Sequence, residues 1–159
     1  MIITVIGIGQ RLRGDDEAGL EAVSLWQNKY PATAGSASIR VELVESPGIG
    51  LLALMENAQA AILVDAVMSG VQPGTLVRLR HTDLAAYQEG TNSAHGWGVA
   101  ETLALGAKIS PETLPEHILI IGIEAGQVNL GQAFSPAVST ALEKAADLIQ
   151  ESVQSLFHT

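Results

Sequence analysis

Three short apolar runs constrain the fold of this chain more than any other feature of its sequence. They occupy residues 2–8, 61–67 and 117–123, and isoleucine, valine and leucine dominate them. A continuous apolar run of this length is typical of a β-strand that is covered on both faces. Patterns of helical period lie between the runs, and strands that alternate with helices predict an α/β fold. We therefore expect three layers, with helices on both faces of a twisted, mostly parallel sheet.

The remaining elements follow from periodicity and from the positions of proline and glycine. Leu20, Val23 and Trp26 recur at helical spacing after Asp16, which predicts a helix over residues 16–30 that Pro31 stops. The other predicted elements are strands over residues 39–44 and 75–81, a flexible connection over 32–37, a polar loop over 87–93, and helices over 51–56, 99–105 and 136–156. No internal repeat is visible, so we expect one domain over residues 1–159.

Composition and charge exclude several classes of function. The chain has no cysteine, which excludes disulfides, thiolate zinc sites and a cysteine nucleophile. Its formal net charge of −9 argues against a nucleic-acid partner. The charge would suit a basic protein partner, although solubility alone accounts for it equally well. No apolar run is long enough to cross a bilayer, and the first residues, MIITVIGIG, lack the basic start of a signal peptide. We expect a cytoplasmic protein without a membrane partner.

The stretch GIGQRLRGDDEAG, residues 7–19, resembles a phosphate-binding loop until its end. Gly9 and Gly14 have the spacing of a Walker loop, but Asp15 and Asp16 stand where lysine and a hydroxyl residue are required. The dinucleotide fingerprint also fails, because Leu12 occupies the place of its third glycine. Two carboxylates would repel a polyphosphate, so a nucleotide-binding domain would rest on the glycines alone. The simplest alternative is that both aspartates cap the following helix, but one residue would suffice for that.

Two further residues lie where strands of such a sheet end or helices begin. Asp65 ends the run ILVDAV, and His95 precedes a helix in SAHGWG. Taken singly, Asp65 could be satisfied by backbone N–H groups of the next turn, and His95 could be an ordinary surface or core histidine. Taken together, Asp16, Asp65 and His95 can meet at the carboxyl edge of the sheet. Two carboxylates and one imidazole are a plausible three-ligand site for a divalent metal.

Other candidates are weaker. Glu124 ends the last run in GIEAG and could line the same edge, although simple solvation is the favoured interpretation. The chain contains neither H-E-x-x-H, the zinc peptidase motif, nor the nucleophile elbow G-x-S-x-G. We treat His81, His117 and His158 as structural or solvated.

The order of these motifs resembles that of the hydrogenase maturation endopeptidases. The resemblance covers nearly the whole chain and is carried by GIGQRLRGDDEAG, ILVDAV, an isolated histidine before a helix, and IIGIEAG. It implies an α/β fold and an endopeptidase that trims the C-terminal extension of the large-subunit precursor of a nickel–iron hydrogenase after nickel insertion. The family's metal-contacting residues match Asp16, Asp65 and His95, which are the positions that the residues themselves suggested.

The resemblance also implies that the metal is nickel carried by the substrate, with no organic cofactor in the enzyme. Nickel would then fix the cleavage site as a template, or act as a Lewis acid on the scissile carbonyl or on water. Alternatively, Asp16 or Asp65 could act as a general base toward water. A non-catalytic module that inspects nickel loading, and releases the hydrogenase precursor uncut, remains an alternative function.

Three departures from the family pattern stand near the expected site. Gln10 replaces a commoner asparagine, and Glu17 replaces a glycine that often follows the acidic pair. The loop ESPGIG, residues 45–50, differs from the usual Asp-Gly-Gly-Thr type. Because this loop should bear on substrate fit, the departures bear on which hydrogenase is processed and remove no proposed ligand.

Overall fold

The computed structural model describes residues 1–83 and 98–158. These residues contain five strands and five α-helices. The strands are β1 (Ile3–Gly9), β2 (Ile39–Glu45), β3 (Ala60–Val67), β4 (Leu76–Arg80) and β5 (His117–Glu124). The helices are α1 (Ala18–Lys29), α2 (Pro31–Ala34), α3 (Gly50–Leu54), α4 (Val99–Ile109) and α5 (Pro136–Phe157), with short 3-10 helices at Gly14–Glu17, His81–Asp83 and Pro111–Thr113.

The strands form one sheet in the order β2-β1-β3-β5-β4. All neighbouring strands are parallel except β4, which is antiparallel to β5. The chain moves from β1 to one side through α1 and then returns past β1 to β3. The carboxyl ends of β1 and β3 therefore flank the point where the strand order reverses, which is the usual ligand-binding position in open α/β sheets.

Two apolar cores cover the two faces of the sheet, because successive side chains of a buried strand point in opposite directions. In β3, Ile62 and Val64 pack with α1 and α5, whereas Ala61 and Leu63 pack with α3 and α4. The apolar positions expected on the last helix are all buried in the first core; they are Val138, Leu142, Ala145, Ile149 and Val153. The three-layer α/β expectation is thus confirmed. None of the helices described is long and apolar enough to span a membrane.

The sequence prediction was wrong at two places in the first crossover. Residues 14–17 form a 3-10 helix, so α1 begins at Ala18 rather than at Asp16. Pro31 does end α1, but it also starts α2 inside the segment that was expected to be a flexible connection. Proline suits the first turn of a helix because the N–H it lacks has no partner there. The polar loop predicted over residues 87–93 lies outside the described residues.

Candidate active site at the carboxyl edge of the sheet

Asp16 is buried beside the carboxyl ends of the two central strands. The residue is only 2% exposed, and its carbonyl oxygen accepts a hydrogen bond of 3.1 Å from Gln10 N–H just after β1. Three residues later, Gly19 packs directly on the sheet. A Cβ at Gly19 would lie 2.2 Å from the carbonyl oxygen of Ile8 and 2.3 Å from that of Val64. Only glycine allows this close approach. It places the start of α1, and with it Asp16, next to the carboxyl ends of β1 and β3.

Asp65 lies on β3 at the same edge. The residue is 4% exposed. It pairs with Gly122 of β5, and the residue before it, Val64, pairs with Gly7 of β1. The alternative interpretation assigned this carboxylate to backbone N–H groups of the following turn. The N–H groups of Ser69 and Gly70 in that turn donate to Glu124, so the alternative does not extend to these two groups.

Asp15 has a structural role that separates it from its neighbour. Its carboxylate accepts hydrogen bonds of 2.7 and 2.9 Å from the N–H groups of Gly126 and Gln127. It also accepts bonds of 2.7 and 2.8 Å from the N–H and the hydroxyl of Ser135. Ser135 is the N-cap residue of α5, so Asp15 supports the start of the last helix and not of its own. The idea that both aspartates cap α1 is therefore wrong for Asp15.

Glu124 is likewise structural, and the expectation that it would be solvated is wrong. It is buried, and its carboxylate accepts three bonds of 2.7 to 2.9 Å from Ser69 and Gly70. Sequence inspection missed the roles of Asp15 and Glu124 because their partners lie far along the chain, 120 residues away for Ser135 and 55 for Ser69. No local spacing signals such pairs.

The loop that precedes Asp16 is held in an uncommon backbone conformation. Leu12 has a φ of 64° and Gly14 a φ of 59°, both in the left-handed region. For leucine this conformation costs on the order of 1 kcal/mol or more. Backbone bonds to the loop after β5 stabilise it: Gly131 N–H donates to the Leu12 carbonyl at 2.7 Å, and Gly14 N–H donates to the Gln132 carbonyl at 3.1 Å.

The third predicted ligand, His95, lies outside the described residues. Within residues 1–83 and 98–158, no group of three His, Cys, Asp or Glu side chains could hold a metal ion. The three-ligand site of Asp16, Asp65 and His95 therefore stays a prediction. What the fold does provide is two buried carboxylates, carried by elements that pack tightly at the reversal of strand order. Such groups can bind a divalent cation or act on a water molecule.

Comparisons with known proteins agree with this architecture. Residues 40–152 match the family model described as hydrogenase maturation protease. That match includes Asp65 and begins after Asp16. The hydrogenase expression/formation protein HupD of Rhodobacter capsulatus is 30% identical over 156 residues, which is 97% of this chain and 70% of the relative. The hydrogenase 2 maturation protease of Escherichia coli is 26% identical over 152 residues, covering 94% of this chain and 88% of that protein.

The HupD protein of Thiocapsa roseopersicina is 28% identical, and the match covers 89% of this chain but 66% of the relative. The chain thus spans about two thirds of the length of these two HupD proteins. Among solved structures, the hydrogenase maturating endopeptidase HybD from E. coli superposes with a TM-score of 0.80 at 22% identity, covering 98% and 93% of the two chains. The [NiFe] hydrogenase maturation protease HybD from Thermococcus kodakarensis gives 0.78 at 23% identity, covering 96% and 99%. These likenesses show the fold.

Proposed function

This chain belongs to the hydrogenase maturation protease family, and from that membership we propose its specific reaction. It is an endopeptidase that removes the C-terminal extension of a nickel–iron hydrogenase large-subunit precursor, and it acts after nickel has been inserted. The partner is a protein, with neither nucleic acid nor membrane involved, and the reaction takes place in the cytoplasm.

The burial of Asp16 and Asp65 at the reversal of strand order is the observation that supports this proposal most. Both residues are nearly inaccessible, although an ionised carboxylate loses hydration when it is buried. A fold that needed only stability would place apolar residues there at no such cost. Carboxylates retained at a ligand-binding edge are the groups that a metal-bearing or hydrolysable substrate requires.

The metal in this proposal is cargo of the substrate. Asp16 and Asp65 would supply two oxygen ligands and His95 one nitrogen ligand, a set that suits borderline divalent cations such as nickel. Substrate nickel held in this way would fix which peptide bond lies beside the carboxylates, and it would polarise the carbonyl or a water molecule. The other mechanism keeps the same residues, with Asp16 or Asp65 accepting a proton from the attacking water.

A binding protein that inspects nickel loading without cutting is the second candidate. It is favoured by one observation, namely that neither H-E-x-x-H nor the nucleophile elbow is present in the sequence. The length of the precursor on a gel after incubation separates the two candidates, because only the protease shortens it.

Mass spectrometry of the precursor tests the proposal directly. The nickel-loaded and nickel-free large subunits are each incubated with the protein, and the C-terminus is then measured. Loss of a C-terminal peptide from the loaded form alone is the expected result. Cleavage of both forms would retain the protease and reject the nickel requirement, and an intact precursor that still binds would favour the inspection module.

Site variants complete the test. Asp16→Ala, Asp65→Ala and His95→Ala are each expected to abolish cleavage while the thermal unfolding transition remains cooperative. Full activity in all three variants would reject the proposed site.

A further inference from the structure

Exposed apolar side chains are concentrated at the carboxyl edge of the sheet. Nine large hydrophobic residues are exposed among those the structure describes. Five of the nine follow the carboxyl ends of strands, and we call these five the apolar rim: Leu12, Ile49, Met68, Val71 and Leu130. Two of the other four, Met1 and Phe157, lie close to the chain ends. Exposed apolar surface gathered in one region usually marks a site of interaction with another molecule.

Leu12 is the most informative member of the rim. It is 72% exposed, yet its backbone is held in the left-handed region at a φ of 64°. A glycine would adopt this conformation without strain, and an exposed leucine contributes almost nothing to the core. The fold therefore retains a strained, solvent-facing leucine four residues before Asp16. Strained residues of this kind are held by the surrounding structure and cluster at active sites and at sites that bind other molecules.

The loop that carries Leu130 is hydrogen-bonded to Leu12 through the backbone. Leu130 is 77% exposed, and the next residue, Gly131, donates its N–H to the carbonyl of Leu12. Leu12 and Leu130 are the two most exposed large hydrophobic residues in the described part of the chain. Both loops are also tied together by the four bonds of Asp15, so the pair has a fixed position relative to Asp16.

We infer that Leu12 and Leu130 form the apolar anchor on which the protein substrate docks. This inference rests on the proposed function, which requires a folded protein to present its scissile segment at this edge. Any substrate whose chain reaches Asp16 must cover the loops on either side of it. The occupant we assign is therefore an apolar surface of the hydrogenase precursor next to the segment that is cut. Desolvation of the two leucines then contributes binding energy at a distance from the reacting bond.

Paired substitutions at Leu12 separate docking from loop geometry. Leu12→Ala removes the side chain and keeps the strain, whereas Leu12→Gly removes the side chain and relieves the strain. If the side chain docks substrate, both variants raise the KM for the precursor by about tenfold or more with kcat nearly unchanged. The glycine variant should also melt at a temperature no lower than the alanine variant. Leu130→Ala is expected to raise KM in the same way.

Ile109→Ala is the matched control. Ile109 is 58% exposed, but it ends α4, which leads into the amino-terminal end of β5 and hence to the opposite edge of the sheet. Its removal should leave KM unchanged. Parental KM values in Leu12→Gly and Leu130→Ala, with cleavage intact, would overturn the docking inference and leave the proposed function standing. A raised KM in Leu12→Gly, with parental KM values in Leu12→Ala and Leu130→Ala, would also overturn the docking inference, because loop geometry would then be the cause.

Two further outcomes have distinct meanings. If the parental protein neither binds nor cuts the precursor, the proposed function fails and the docking inference falls with it. If sedimentation shows a dimer that Leu130→Ala dissociates while KM stays at its parental value, the rim covers a second copy of the chain and the inference is overturned.

Discussion

Asp15 and Asp16 are identical neighbours, but we expect them to contribute unequally to stability. Asp15→Ala leaves the N–H groups of Gly126, Gln127 and Ser135 without the acceptor that they share. A buried unsatisfied donor costs about 1–3 kcal/mol. Ser135 is buried, whereas Gly126 is exposed and Gln127 half-buried, so the free energy of unfolding should fall by about 1–3 kcal/mol. Asp16→Ala should change it by less than about 1 kcal/mol, because removing a buried charge offsets the loss of its interactions. Urea denaturation of the two variants measures the difference.

For cleavage activity, Asp16→Ala should be the more damaging of the two substitutions. At a temperature where both variants are folded, Asp16→Ala is expected to be inactive and Asp15→Ala to retain cleavage at a reduced rate. Equal losses of stability in the two variants would contradict the assignment of Asp15 to the loop after β5. An active Asp16→Ala protein would contradict the assignment of Asp16 to the site.

Sequence reasoning placed Asp16 and Asp65 at one edge of the sheet but could not tell the roles of Asp15 and Asp16 apart. Asp16 was singled out because it follows the first strand and Asp65 because it ends a strand, and the structure buries both at the carboxyl edge of the sheet. Nothing in GDDEAG distinguishes Asp15 from Asp16, because the distinction depends on Ser135, which lies 120 residues away. Long-range hydrogen bonds of this kind are fixed by tertiary structure and leave no periodic signal.

At the scale of secondary-structure elements, the close contact between α1 and the sheet predicts that one methyl group added at Gly19 strongly destabilises the fold. In Gly19→Ala the new Cβ would lie 2.2 and 2.3 Å from two strand carbonyl oxygens, and backbone on both sides prevents an easy shift. We expect a loss of about 3 kcal/mol in the free energy of unfolding, at the upper end of the usual cost of overpacking. Because α1 must then move away from β1 and β3, residual folded protein should also cleave poorly. Thermal unfolding followed by circular dichroism measures the first effect.

Gly50→Ala is the control for that substitution. Gly50 starts α3, and a Cβ added there would meet nothing within 4 Å, so alanine should change stability by no more than about 0.5 kcal/mol. A Gly19→Ala protein as stable as Gly50→Ala would show that α1 is not fixed by this contact.

The hydrogen bonds of Asp147 on α5 to Lys29 and Tyr30 should make the protein less stable in acid. Asp147 accepts bonds from Lys29 at 2.7 Å and from Tyr30 at 2.6 Å, and these hold the pKa of Asp147 below its ordinary value of 3.8. A lowered pKa stabilises the fold above 3.8, and this contribution is lost as the pH falls through the folded-state pKa. The same contact raises the pKa of Lys29 above 10.5, so that contribution is lost only in strong base.

Asp147→Asn should therefore lower the urea midpoint at neutral pH, and its difference from the parent should shrink as the pH drops below 3.8. The effect will be small, because both side chains are more than a third exposed and water screens the pair. Glu112→Gln, an exposed substitution on the 3-10 helix before β5, supplies the baseline. A difference that grew on acidification would contradict the assigned sign.

Elements were more predictable than their arrangement. The runs that became β1, β3 and β5 were found because burial on both faces requires continuous apolar sequence. The antiparallel placement of β4 at the edge beside β5 was not predicted, because an alternating strand such as TLVRLRH fits either direction. The short helix α2 was missed because it has only four residues, none of them fully buried, and shows no period.

At the scale of the whole molecule, buried carboxylates join the loops of the carboxyl edge to one another. Asp15 ties the loop after β1 to the loop after β5, and Glu124 ties the end of β5 to the loop after β3. The connections meet at Gly126, where a Cβ would lie 3.0 Å from Pro73 and 3.5 Å from the Asp15 carboxylate. The loops at the edge that carries Asp16 and Asp65 are thus connected to one another by hydrogen bonds. Such connections would hold the groups of a site in fixed positions.

A double-mutant cycle tests these connections. Asp15→Asn and Glu124→Gln each weaken a different connection, but both loosen the chain around Gly126. The double variant should therefore lose less stability than the sum of the single variants, with a coupling free energy of at least about 0.5 kcal/mol. The matched cycle pairs Asp15→Asn with Tyr30→Phe, which breaks the bond to Asp147 between α1 and α5, and it should be additive. Additivity in both cycles would mean that the Asp15 and Glu124 connections stabilise their loops independently. Each connection would then have to position its own part of the proposed site.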